Sequence, residues 1–146
     1  VALDPAMTSS APTDEAVAPA APGNRSVGFP ALHDPRYPVH HIADRLELFI
    51  RAIVERIHPE KIILFGSYAH GQPTEHSDVD LLVIRRDLVS EKRSNLEIRR
   101  AFDTVPGRLL SFTILSKTPE RIAERLAAKS AFYEDIVGKG IELYAA

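Results

Sequence analysis

Ile42, Leu46, Phe49, Ile50, Ile53 and Ile57 recur at helical spacing, with Arg45, Glu47, Arg51 and Glu55 on the opposite side. This pattern predicts an amphipathic helix buried along one stripe. It should end at His58, because Pro59 pushes the residue before it out of the helical region. Ile62-Ile63-Leu64-Phe65 is a short continuous apolar run, the pattern of a strand covered on both faces. Residues 79–84 form a second such run. Ser90 is placed to cap a helix over about 91–103, with Ile98, Ala101, Phe102 and Val105 on its inner face. Within 109–116, Leu110, Phe112 and Ile114 alternate with Ser111, Thr113 and Leu115, which predicts a third strand. Thr118-Pro119-Glu120 opens another helix, with Thr118 as cap and Pro119 at the first position. After Gly138 and Gly140, residues 141–144 add a short last strand. The order helix, strand, strand, helix, strand, helix, strand describes an α/β sandwich layered on one small sheet.

Composition sets the limits of that unit. Residues 1–38 hold seven of the eleven prolines among Ala, Ser, Thr and Gly, and such a segment buries too little surface to offset its ordering entropy. They are expected to be a flexible tail, followed by a domain over 39–146. The chain begins at Val1 and its one methionine is Met7, so residues 1–6 read as a cloning remnant. From Val39 onward, 16 Lys+Arg balance 16 Asp+Glu, which argues against direct nucleic-acid binding as the main function. The absence of cysteine excludes disulfides and thiolate zinc sites and fits a cytoplasmic location. No apolar stretch approaches the roughly 18 residues of a membrane span, and the first residues lack the basic and apolar regions of a secretory signal.

One stretch does not fit a purely structural reading. Asp78 and Asp80 fall at the start of the second apolar run, where a strand points both to one face, about 7 Å apart along the chain. Aspartate is depleted in strands, and like charges this close repel unless something neutralises them. A divalent cation is the economical answer, and all-oxygen ligands favour Mg²⁺ or Mn²⁺ over zinc. A lone Asp-x-Asp leaves another reading open, with Asp78 capping the preceding turn and Asp80 paired with Arg85. Gly66-Ser67 adds a second element. It follows a buried strand directly, where backbone N–H groups and the Ser67 hydroxyl suit an anion such as phosphate; a simple turn glycine is the plainer alternative.

The stretch GSYAHGQPTEHSDVDLLVI, with Gly-Ser, ten residues and Asp-x-Asp, resembles the signature of the DNA polymerase β-type nucleotidyltransferase superfamily. It is most similar to the minimal nucleotidyltransferases of bacteria and archaea. HPEKIILFGSYA, EIRRAF, SKTPE and GKGIELY extend the likeness over roughly residues 40–144. The resemblance implies a polymerase β-type fold, with a small mixed sheet of three to four strands packed with helices. It implies that Gly66 and Ser67 hold a nucleoside triphosphate, ATP or another, and that Asp78 and Asp80 are catalytic and bind Mg²⁺ (or Mn²⁺). Proteins of this kind are often antitoxins paired with a HEPN-domain ribonuclease toxin, and some transfer AMP from ATP to a toxin hydroxyl. That makes a protein adenylyltransferase antitoxin the expected function, with a catalytically degenerate module that neutralises its partner by binding as the alternative. Without a second domain to form an acceptor pocket or hold a template, small-molecule transfer and polymerisation are disfavoured.

Two positions depart from the family pattern. Complete members add a third carboxylate from the strand before the TPE helix, and that position here is Thr113, with Ser111 nearby. His70 stands where Arg is common and offers phosphate less charge. Glu75, in the loop beside the aspartates, is a candidate substitute ligand, though a solvated acid is the simpler reading. The adjacent His40 and His41 would point apart on a helix. Arg85, Arg86, Lys92, Arg93, Arg99 and Arg100 read as a solvated face, and Tyr68, Phe132 and Tyr133 as packing residues.

Overall fold

A computed structural model describes residues 28–107 and 110–146; most of the expected tail, and Arg108 and Leu109, lie outside them. Two 3₁₀ turns, Pro30–His33 and Pro38–Ile42, lead into helix α1, Ala43–Ile57. Strand β1 covers Lys61–Phe65, the short helix α2 Ser67–His70, and strand β2 Val79–Ile84. Helix α3 spans Glu91–Phe102, and strand β3 spans Phe112–Lys117. Helices α4, Pro119–Ala127, and α5, Ala131–Lys139, precede strand β4, Ile141–Ala145.

The four strands form one mixed sheet in the order β3-β2-β1-β4. β1 is antiparallel to β2 and β4, whereas β2 and β3 run parallel. One face carries Ile62, Leu64, Val79, Leu81 and Val83 into the larger core, where they meet Leu46, Ile50 and Ile53 of α1 and Ile98 and Phe102 of α3. The other carries Ile63, Leu82 and Ile84 against Ile122 of α4 and Tyr133 and Ile136 of α5. β1 and β2 are therefore covered on both sides, as their largely apolar sequence pattern predicts, with Asp80 the one break in β2.

Local signals place most helix boundaries. His58 closes α1 in the left-handed conformation, with φ of 51°. Ser90, Thr118 and Ser130 accept hydrogen bonds from the backbone N–H of Arg93, Arg121 and Tyr133, capping α3, α4 and α5. Where the sequence predicts one helix after Thr118, there are two. Lys129 turns the chain with φ of 62°, and the Ser130 cap starts the second.

The packed unit also begins earlier than Val39. Phe29 and Leu32 are fully buried in the larger core. Phe29 meets Tyr144 edge-on at 6.4 Å, with the Arg51 guanidinium 5.3 Å from its ring centre. The prolines of residues 30–38 start 3₁₀ turns here, which is compatible with their fixed φ and missing N–H.

The β3 edge is closed by side chains of α3. Arg99 and Asn95 donate to the carbonyls of Phe112 and Ile114, and the Glu91 carboxylate accepts from Ser116 N–H. The buried Ser116 hydroxyl accepts from Ser94 at 2.9 Å and donates to Asn95 Oδ1 at 2.7 Å. These bonds leave those edge groups satisfied and hold β3, with Thr113, against β2.

Candidate active site

The site lies at one end of the face covered by α4 and α5. Register decides its membership: Phe65 pairs with Asp80 across the β1–β2 ladder, and Asp80 pairs with Thr113 across β2–β3. Gly66 follows Phe65 with φ of +77°, a conformation glycine adopts without the Cβ penalty. It must also be bare, because a β-carbon there would overlap Asp80 Oδ2. The turn thus lays the start of α2 beside the carboxylate. Gly66 O accepts from Ala69 and His70 N–H, while the first amides of a helix have no intrahelical acceptor and remain available to an anion.

Asp80 is half-buried, and Asp78, just before β2, is exposed. Burial pushes the Asp80 carboxyl above the usual carboxylate range; the Thr113 hydroxyl opposes this and the charge of Asp78 adds to it. Thr113 Oγ1 is also 3.4 Å from Asp78 Oδ2, a long contact, so the hydroxyl serves both acids weakly. The ion-pair alternative does not hold, because Arg85 points away from this end. Its Nε donates to Asp87 Oδ1 at 2.9 Å and its Nη1 lies 3.2 Å from Glu97 Oε1. The turn before β2 is closed by Thr74 and Ser77 rather than by Asp78: Ser77 Oγ accepts from Thr74 N–H, and Thr74 Oγ1 accepts from His76 N–H.

The residues present suit Mg²⁺. They offer hard carboxylate oxygens from two acids in a cradle that a β-carbon on Gly66 would fill. Mg²⁺ commonly binds through one or two carboxylates and keeps water and phosphate as its remaining ligands. Among the described residues no group of three or more His, Cys, Asp or Glu side chains converges on one point. Glu75 does not converge on the two aspartates; its side chain is 87% exposed and lies 3.7 Å from His76.

Beside Gly66, a groove of about 240 Å³ runs between β1, α2 and α5, lined by Phe65, Ala69, His70, Phe132 and Lys139 among others. Phe132, expected to be a packing residue, is 53% exposed and stands edge-on to Phe65 at 6.0 Å. Tyr133 is buried as expected. Nothing in helical periodicity separates the two; the direction of α5 does. His70 Nε2–H donates to the Lys139 carbonyl at 2.5 Å and its ring meets Tyr37 at 5.8 Å, so it ties α2 to the end of α5. His40 and His41 do not point apart: in the 3₁₀ turn their ring centres lie 3.9 Å from each other, with the planes tilted by 37°. Nor is Arg85 on a solvated face, being only 6% exposed.

The family model described as polymerase beta, nucleotidyltransferase, matches residues 49–144, which include all of the sheet but Ala145, both aspartates and the Gly66 turn. The chain belongs to the polymerase β nucleotidyltransferase family. The likeness to its minimal members, carried first by residues 66–84, therefore holds. Three relatives of this nucleotidyltransferase come from Methanocaldococcus jannaschii, each named a "putative protein adenylyltransferase". The first is 30% identical over 86 residues, covering 58% of this chain and 78% of the relative. The second is 51% identical over 39 residues, covering 27% and 26%, and the third 64% identical over 25 residues, covering 17% and 25%. No helix among the described residues of this nucleotidyltransferase is long and apolar enough to cross a membrane.

Proposed function

We propose that this protein is a Mg²⁺-dependent protein adenylyltransferase that binds ATP at Gly66 and Ser67 and acts on a hydroxyl of a partner protein. The observation that carries this reading is the packing of the Asp80 carboxylate against bare Gly66, with Asp78 beside it. The names of the three relatives support AMP as the transferred group and protein as the acceptor class. Asp78 and Asp80 would hold Mg²⁺, which supplies charge neutralisation for the triphosphate and the departing pyrophosphate. The Ser67 hydroxyl and the first amides of α2 would orient the phosphates. In the transfer, the acceptor oxygen bonds to the α-phosphorus, the bond to the β-phosphate oxygen breaks, and pyrophosphate leaves. The hydroxyl proton passes to solvent at the open edge of the site, since Thr113 is no base. The packed unit that carries this chemistry includes residues 28–38.

The partner in this proposal is a HEPN-type ribonuclease toxin, and the protein is its cytoplasmic antitoxin. This rests on the resemblance to minimal nucleotidyltransferases. Thr113, where a third carboxylate would project, favours a second reading in which nucleotide is bound but the toxin is neutralised by occlusion. Incubation of the full chain with Mg²⁺, labelled ATP and the product of the adjacent gene tests both. Label on the partner that is lost in Asp78→Asn supports transfer. Unlabelled but inhibited partner supports occlusion, and no effect on the partner rejects the antitoxin role.

A further inference from the structure

A nucleoside triphosphate at Gly66 and Ser67 carries more negative charge than one divalent cation offsets, and the turn itself supplies only neutral donors. The basic side chains lining the groove beside Gly66 are His70 and Lys139, and the acid is Asp135. His70 is engaged: its Nε2–H holds the Lys139 carbonyl, and Tyr37 packs against its ring. The Lys139 ammonium is not engaged in the same way. It is 76% exposed, and its ion-pair partner, Asp135 Oδ1 one turn earlier, is 3.5 Å away and 71% exposed. Exposed pairs of this kind contribute little and exchange readily.

The backbone that carries this ammonium is, by contrast, fixed. Its carbonyl is bound by His70, and Gly140 after it packs so closely that a β-carbon would overlap Ile136 O and the Ile63 side chain and lie 3.2 Å from Leu64 O. Ile63 and Leu64 belong to β1, the strand that ends at the Gly66 turn. A long side chain with an exposed, weakly paired cation is therefore anchored on closely packed backbone beside the Gly66 turn.

We infer that Lys139 is a phosphate-binding residue, whose ammonium exchanges Asp135 for the terminal phosphates of a triphosphate held at Gly66 and Ser67. The assignment rests on the triphosphate reading above. It makes the end of α5 part of the nucleotide site and gives His70 a positioning role, through the Lys139 carbonyl.

Calorimetry on the full chain with Mg²⁺ tests it, using ATP, inorganic triphosphate and AMP as probes. Lys139→Gln should weaken ATP and inorganic triphosphate about five- to ten-fold, the low end for a charge-assisted contact at an exposed rim, and leave AMP unchanged. Lys139→Arg should bind as wild type. Asp135→Asn, which removes the competing acid, should tighten ATP and triphosphate about two-fold. Melting curves establish that each variant is folded. Wild-type affinity in Lys139→Gln, or an equal loss for AMP, overturns the assignment. If Asp80→Asn loses ATP while Lys139→Gln does not, the Lys139 role alone fails. A wild-type protein that binds neither ATP nor triphosphate defeats the nucleotide reading as well.

Discussion

The Asp80 carboxylate rests on the bare α-carbon of Gly66, so closely that a β-carbon on Gly66 would stand 3.0 Å from Asp80 Cγ and overlap its Oδ2. Thirteen residues lie between them in sequence. The β1–β2 register, which pairs Phe65 with Asp80, brings them together. The glycine thus meets two requirements at once, a positive φ and space for an acid.

Gly66→Ala should therefore cost about 1–3 kcal/mol of stability, from backbone strain and displaced Asp80, and abolish ATP binding. A β-carbon on Gly138, inside α5, would meet nothing within 4 Å, so Gly138→Ala should gain about 0.5–1 kcal/mol. Urea titrations of both variants check the contrast, and equal effects would refute it.

Asp80 carries a different cost. Burial, reinforced by Asp78, raises its folded-state pKa above the unfolded value, so the folded state binds the proton more tightly. Stability then falls as pH rises from the unfolded pKa through the folded one, and the penalty is fully present at neutral pH. Asp80→Asn should accordingly melt above wild type at pH 7 without ligand, with the gap closing toward pH 4. The same variant should lose the stabilisation that Mg²⁺-ATP gives the wild type. A gap that persists unchanged at pH 4 would contradict this account.

Thr113 pairs directly with Asp80, so Thr113→Asp places a third carboxylate on the same face. Three adjacent acids should lower the melting temperature of the ligand-free protein. Added Mg²⁺ should more than restore it, with about 2–3 kcal/mol of stabilisation at a hundred-fold excess over its dissociation constant. Adenylyl transfer to the partner should increase. Melting with and without Mg²⁺ decides the first point, and label incorporation the second.

Phe29 lies in a stretch whose composition predicts a tail, yet it is buried against Tyr144 and Arg51. Phe29→Ala should cost about 3–5 kcal/mol, measured as a shift of the urea midpoint at unchanged slope. A loss within 0.5 kcal/mol, the usual range about surface substitutions, would return this segment to the tail.

Much of the fold was legible because its signals are local. The stripe from Leu46 to Ile57, the apolar runs of β1 and β2, and the caps at Ser90 and Thr118 each act within a few residues, and the helices and strands stand where these place them. Local signals also have limits. Ser130 was as readable a cap as Ser90, but the apolar pattern runs through Lys129, and only the observed turn separates α4 from α5. Arg85 reads as a surface charge until Asp87, Glu97 and Ser94 are seen to enclose it.

By itself the sequence determined the residue types at hand: two acids at the head of an apolar strand and a Gly-Ser after another. Those are properties of residue type and spacing, and they persist in any arrangement of the chain. Tertiary structure alone decided that Asp80 sits on Gly66, that Thr113 stands beside Asp80, and that His70 holds the end of α5 while the Lys139 ammonium stays exposed. Each of these depends on strand register or on contact between segments far apart in the chain. Such relations are fixed by how two apolar faces of one sheet find their helices, and no window of sequence contains them.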